Sequence, residues 1–560
     1  MSQLEAFAPG RYLRYAEMTE LLQELAAAYP DLCTLEEIGR SREGRSIWAI
    51  TLTNRTTGPA AEKPGYLIDA NTHAGEVTGG AAAIYTVHFL LTRYGSDPLA
   101  TEILDTRAFY VVPRIAVDGV ELYLNSPTML RSSPKRYPLA EEPEGFYAKD
   151  MDGDGKIVQM RVLHPDGDWK VDTEDPRLMV RRQPEDRTGR FYRIFVEGEI
   201  TGWDGRAIPP VQRPMGLDFN RNYPAFWNPE AKQPGAGPYP LSEPETRALA
   251  TFLIDHPNIG GYVAYHTSGG VLLRPPSNGG DDKISEADLE GFKRIGEICT
   301  RATGYPCKST YDAFNYPGQS ALVKGADDWA YEHYGVQAYT FELWDMDGRA
   351  GAHGYAQIGV KGLIKLSEAQ VIEDGRKLLR WNDEVLGGRG FTDWTPFEHP
   401  QLGPVEIGGW DPKFAEQNPP EGALLEEEVT RAAAFTFQHC LAMPRLAFGR
   451  VEVKAVGGGI YELAVEVQNT GFLPTNVTEL AVQNKRSTGV KVVVEGAEVL
   501  AHRGGERKNG RYEIGEIPGR GKDGQKWISF VVRASAGATV SLSARHERAG
   551  AVRTTVKVTE

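Results

Sequence analysis

Between residues 17 and 29, Met18, Leu21, Leu22 and Leu25 recur at helical spacing, and Pro30 forbids the helix from continuing. Residues 47–52 and 66–70 are short apolar runs of strand length. An alanine-rich apolar stretch over 78–94 then predicts a long buried helix. Further strands are expected at 109–112, 262–265 and 338–343, with helices between them. Ser242-Glu243-Pro244-Glu245 reads as a capping box that opens one of those helices. Strands without polar alternation, separated by helices, predict an α/β fold with a mixed, largely parallel sheet and helices on both faces.

Two stretches break this rhythm. Residues 132–213 are rich in charge, Gly and Pro, and read as a long insertion at one edge of the sheet. Residues 403–422 are Pro/Gly-rich and lead into a last helix near 425–441. After Pro444 the pattern becomes period two, in runs at 450–456, 461–468, 490–495, 527–532 and 540–544 separated by Gly, Asn and Asp turns. That predicts a β-sandwich of about seven strands. The expected organisation is therefore a domain over 1–444 with 132–213 inserted, followed by an all-β sandwich over 445–560. No catalytic constellation falls in the sandwich, where His502 and His546 are isolated and read as surface histidines.

The length of 560 residues exceeds what one core organises, which fits this division. A hydrophobic fraction of 41% and a charged fraction of 25% are those of a globular chain and exclude disorder. The net charge of -14 argues against nucleic acid as a partner. Cys33, Cys299, Cys307 and Cys440 make neither a disulfide framework nor a metal knuckle, and Cys299 and Cys307 fit either a bridge or two free thiols. No run is long enough to span a bilayer, so no membrane partner is expected. The first residues show no basic-then-apolar leader, so the expected compartment is the cytoplasm, or the exterior if a leader has been removed.

The chemistry gathers at strand ends. Asn71-Thr72-His73-Ala74-Gly75-Glu76 follows directly on the 66–70 strand, and His266 closes the 262–265 strand. In α/β sheets ligands bind beyond the carboxyl ends of the strands, so these three side chains are expected to meet. Two imidazoles and one carboxylate with an open position are the donor set of a catalytic zinc site. Glu342, inside the apolar strand at 338–343, is costly to bury unless it is paired or used. It is the candidate proton acceptor for an activated water.

Four motifs give the chain a family likeness: Gly39-Arg40-Ser41-Arg42-Glu43-Gly44-Arg45; the His73/Glu76 pair; Leu217-Asp218-Phe219-Asn220-Arg221-Asn222; and Asp327-Asp328-Trp329-Ala330-Tyr331, with Glu342 thirteen residues after Trp329. In this order the chain resembles the zinc carboxypeptidases of the carboxypeptidase A/B type. The resemblance implies one Zn²⁺, a zinc carboxypeptidase-like fold and hydrolysis of the C-terminal peptide bond, with peptide or protein C-termini as substrate. It further implies that Arg131, twelve residues after Gly119, stabilises an oxyanion. Asn220 and Arg221 match the pair that grips the terminal carboxylate, and Asp218 the carboxylate that orients the first zinc histidine. Asp327 matches the base of the specificity pocket, where an acid favours basic C-terminal residues; the alternative is that it caps its own helix. The family's mobile tyrosine is Ser320 here, with Tyr316 the nearest substitute. Two other functions compete: a zinc deacylase or amidohydrolase acting on small acyl-amino acids, and a non-catalytic zinc module that binds peptide C-termini.

A second ion is suggested by Asp150-Met151-Asp152-Gly153-Asp154-Gly155-Lys156-Ile157, which follows the first eight positions of a calcium loop. Asp150, Asp152, Asp154 and the Lys156 carbonyl are the candidate Ca²⁺ ligands. The twelfth position is Arg161 in place of the bidentate Glu, and the alternative is a solvated acidic turn.

Overall fold

A computed structural model describes residues 2–138, 143–206, 208–210, 216–314 and 325–559. Eight strands, Cys33–Arg40 (β1), Ser46–Leu52 (β2), Gly65–Ala70 (β3), Ala108–Val112 (β4), Ile259–Thr267 (β5), Val271–Arg274 (β6), Cys307–Ser309 (β7) and Gln337–Leu343 (β8), form one sheet. Their order is β1-β2-β4-β3-β5-β8-β6-β7. The central strands β4, β3, β5 and β8 run parallel, while β1, β2 and β6 bring antiparallel pairings at the two sides. The sheet is therefore mixed and largely parallel through its centre. Every residue of β3 and β5 is buried, which explains their unbroken apolar runs.

Alternation along these strands divides their chemistry between two faces. On one face Tyr66 hydrogen-bonds to His439 at 2.9 Å and Tyr339 donates to the Phe292 carbonyl at 2.9 Å. These contacts seat the helices Val77–Arg93 (α1), Glu286–Thr303 (α2) and Ala423–Ala442 (α3) as one layer. The opposite face presents Asp69, His266 and Glu342. There the shorter helix Ala326–Tyr334 packs on β5 and β8, and Pro244–Asp255 packs on β1. The capping box expected at Ser242 is not formed: Glu243 is the N-cap without a side-chain cap, because Pro244 starts the helix and the Ser242 hydroxyl is engaged with Asn222 and Glu243.

The insertion does not join the edge of this sheet. Its strands Gln159–Leu163, Trp169–Val171, Met179–Arg181 and Tyr192–Val196 combine with a distant hairpin, Phe391–His399 and Gly403–Trp410, into a separate six-stranded antiparallel sheet. Gly403, at φ 73°, turns that hairpin. Phe146, Met160, Val405 and Ile407 give the unit a small core of its own. Part of the Pro/Gly-rich stretch is thus strand.

The C-terminal region is a β-sandwich of nine strands, two more than expected, in sheets of four and five. It meets the larger region through Arg548, which is buried and donates to the Gly335 carbonyl at 2.6 Å, and within its own region to the Asn476 carbonyl at 3.1 Å. His546 is also buried, between Ser487 and Glu516, and is not a surface histidine. All four cysteines are free. Among the described residues no helix is long and apolar enough to cross a membrane.

Candidate metal centre

At the end of β3 the chain reverses through Asn71, at φ 55°, a conformation that Asn tolerates better than most residues. Its side-chain amide donates to the Glu76 carbonyl at 2.7 Å, which closes the loop as Glu76 becomes the N-cap residue of α1. The neighbouring segments are tied to this loop. Ala74 N–H donates to the Arg131 carbonyl at 2.7 Å, and Asn418 donates to the Gly75 carbonyl at 2.8 Å. Ser132 donates to the Thr72 carbonyl at 2.8 Å and accepts from Phe219 N–H at 3.1 Å, so one hydroxyl joins two motif segments. Ser132 and Asn418 belong to no motif; only a polar residue beside each could have drawn attention to them.

His73, Glu76 and His266 converge as expected, each no more than 3% exposed. Nδ1 of His73 and Nδ1 of His266 each lie 2.8 Å from one Glu76 oxygen and 3.1 Å from one another. One donor atom from each residue falls within a 4.8 Å circle. Nε2 of His73 stands 3.0 Å from Asp218 Oδ1. A proton held there leaves the Nδ1 lone pair aimed inward. Nε2 of His266 has no partner among the described residues. Two ring nitrogens crowded on one carboxylate are the donor chemistry of a borderline-soft dication, and the set fits zinc. Burial opposes the charge on Glu76, but His73 and His266 hold its carboxyl well below the usual carboxylate range. Burial likewise opposes charge on His266, and Glu76 outweighs it to raise the imidazole.

Asp218 also accepts from the Asn220 N–H at 2.8 Å and from Arg131 Nε at 3.0 Å. Although burial acts against it, Arg221, Arg131 and His73 keep this carboxyl well below its ordinary value. Arg131 donates its Nη1 to Glu76 at 3.1 Å and leaves about half of its side chain open to the cleft. Arg221 lies 3.8 Å from Asp218, and Asn220 Oδ1 accepts from the Ala326 N–H at 3.2 Å. Glu342 pairs in register with His266 across β5 and β8, on the same face. Burial pushes its carboxyl up to about 8; His266 and Arg131 pull against this while Glu76 adds to it.

Asp327 is buried in the first turn of its helix, and burial raises its carboxyl although Thr340 hydrogen-bonds to it. Beneath the centre, Asp69 is fully buried with neither oxygen hydrogen-bonded among the described residues. Burial takes it up to about 7. The sequence reading passed over it, although an acid inside an apolar run is the signal that singled out Glu342. Tyr316 and Ser320 lie outside the described residues.

Away from the centre, Asp150 and Asp152 gather with the buried Glu197 within 4.8 Å. Asp154 is not in that cluster; its carboxylate accepts from Lys156 N–H at 2.8 Å. The Lys156 ammonium turns to Asp411 at 3.5 Å, and Arg161 pairs with Glu406 at 2.9 Å. Glu197 comes to this loop from the end of a strand distant in sequence, which local spacing cannot reveal.

The sequence profile of a family described as zinc carboxypeptidase matches residues 18–358, and the chain belongs to that family. Residues 445–557 match a profile described as a domain of unknown function. Carboxypeptidase A6 of Homo sapiens is 25% identical over 346 residues, 60% of this chain and 60% of that protein. Carboxypeptidase B of Rattus norvegicus is 24% identical over 347 residues, 60% of this chain and 64% of that protein. The matched region thus spans under two thirds of these relatives' length. Among solved structures, thrombin activatable fibrinolysis inhibitor aligns at 19% identity and a TM-score of 0.41, over 68% of this chain and 76% of that one.

Proposed function

We propose that the protein is a zinc-dependent metallocarboxypeptidase that hydrolyses the C-terminal peptide bond of peptides, using the region up to residue 444, with 132–213 inserted, ahead of a sandwich over 445–560. The observation that carries this reading is the convergence of His73, Glu76 and His266 beside Glu342 and Arg131. His73, Glu76 and His266 hold the metal. Bound there, zinc supplies Lewis acidity, lowering the pKa of water and polarising a carbonyl.

Glu342 accepts the proton of the attacking water and delivers it to the leaving amine. Burial raises that carboxyl, which suits it to hand the proton on to the leaving amine. Arg131 meets the carbonyl oxygen as negative charge develops, and Asp218 aims it. Asn220 and Arg221 take the terminal carboxylate, for which the guanidinium fork is suited. Asp327, hydrogen-bonded to Thr340 on the same face of the sheet, is assigned to the base of the specificity pocket, where an acid favours a basic terminal residue. Tyr316 is a further candidate for binding substrate.

Calcium is proposed for the loop of Asp150 and Asp152, with Glu197 added to the donors named from the sequence, Asp154 and Lys156.

Incubation with peptides ending in Lys, Phe or Asp, with and without a chelator, tests the main reading. Release of single C-terminal residues is expected, fastest for Lys. It should stop with the chelator and fall at least about 100-fold in Glu342→Gln, whose zinc content stays normal. Turnover of acyl-amino acids but not peptides would shift the assignment to a deacylase. Tight zinc with no turnover would shift it to a binding module.

A further inference from the structure

A cavity of about 570 Å³ opens where the insertion, the segment before Arg131 and the chain after Trp410 meet. Its size lies within the range of sites that enclose small ligands or large side chains. Met129, Tyr147, Ile157, Val158, Val196 and Trp410 give it apolar walls. Lys149 and Glu199 pair at 2.7 Å, both at least two-fifths exposed, so their charges sit satisfied in solvent. Glu416 on the wall disfavours an acidic occupant.

The cavity lies beside chain segments that carry the metal centre. Met129 is two residues from Arg131, which limits their Cα separation to about 7 Å. Glu416 precedes Gln417, whose side chain lies 2.8 Å from where a Cβ on Gly75 would stand, against the loop that carries Glu76. Met129 is 42% exposed, a large flexible apolar side chain left open at this margin. Asn220 and Arg221, by contrast, gather at Asp218.

We infer that this cavity receives a large apolar side chain of the peptide substrate several residues before the scissile bond, so that the protein reads its substrate at two points. The inference rests on the carboxypeptidase reading above. With the terminal carboxylate held near Asp218, the remaining chain leaves past the Arg131 backbone and Met129, into walls built largely by the insertion. A thioether and an indole offer an aliphatic or aromatic side chain both area and polarisable contact. The insertion thereby acquires a role in selecting substrate.

The test uses the full zinc-loaded chain and hexapeptides that differ only in Phe, Leu or Gly at a scanned position before the last residue, with an N-blocked dipeptide alongside. At one position Phe and Leu should exceed Gly in kcat/KM by about 10-fold or more, and Met129→Ala and Trp410→Ala should each reduce that ratio to about 3 or less. Met129→Ala guards against a folding defect, since its side chain is largely open. Equal kcat/KM for Phe, Leu and Gly at every position, or a ratio that survives both substitutions, overturns the inference. If neither dipeptide nor hexapeptides are cut, the carboxypeptidase reading has failed instead. The cavity is then judged by the emission of Trp410, taken as wild type minus Trp410→Phe. A shift with the Phe hexapeptide and none with Gly supports the inference, and no shift with either overturns it.

Discussion

Asp218 does more at the centre than its distance from the metal pocket suggests. Its two oxygens accept from His73 Nε2, the Asn220 N–H and Arg131 Nε. It therefore sets the tautomer of one ligand and the direction of the guanidinium together. Asp218→Asn removes the charge and replaces one acceptor oxygen with an N–H donor facing groups that themselves donate. Zinc affinity should fall about 10- to 100-fold, read by competition with a chromogenic chelator. An unchanged affinity would mean that His73 is oriented by packing alone. At this scale the sequence was informative wherever chemistry sits at a strand end: His73, Glu76, His266 and Glu342 came together as their spacing implied. Its reading missed Asp69, an acid within an apolar strand, and Ser132, whose hydroxyl links segments distant in sequence. Ser132 leaves no local pattern, because its partners come from other parts of the chain, whereas Asp69 carried the same signal as Glu342 and was passed over.

The helices and central strands were legible because apolar spacing repeats over many residues, and Ala423–Ala442 or Val77–Arg93 have no alternative that buries so much surface. The insertion was not. Its strands are three to five residues long, and one of them, Gln159–Leu163, joins the 391–410 hairpin, a pairing with no local signature. Glu197 is the knot of this unit: fully buried, it accepts from Met151 N–H and, at 3.1 Å, from Val158 N–H. On the proposed calcium reading, millimolar Ca²⁺ should raise the melting temperature of wild type by a few degrees and leave Glu197→Gln unmoved. Equal shifts in both, or none in either, would assign the loop to solvated turn chemistry.

The two regions are joined as one molecule by buried polar contacts as well as by apolar ones. Leu473 and Val477, from the C-terminal region, pack into the main core, and Glu479 N–H donates to Asp288 at 2.6 Å. Near this junction Glu516 accepts from Thr475 and Ser487 and pairs with His546 at 3.0 Å. Burial opposes its charge, yet these partners, His546 foremost, take the carboxyl down to about 2. A carboxyl depressed on folding stabilises fully above its unfolded pKa, near 4.5, and loses that contribution as pH falls toward about 2. Wild type should therefore lose about 2–3 kcal/mol more than Glu516→Gln across that window, measured by urea unfolding at stepped pH. Parallel curves would contradict the assignment. The period-two runs announced a sandwich but undercounted its strands, since Glu506–Lys508 and Arg511–Glu513 are only three residues each.

All of this turns on one zinc ion bound by His73, Glu76 and His266. Metal-free protein equilibrated with zinc and dialysed should retain one tightly held ion per chain. Its zinc-edge X-ray absorption should fit two imidazole nitrogens at about 2.0–2.1 Å with a carboxylate, and no sulfur. His266→Ala should lose that spectrum. No zinc retained, or the same spectrum in His266→Ala, would contradict the account.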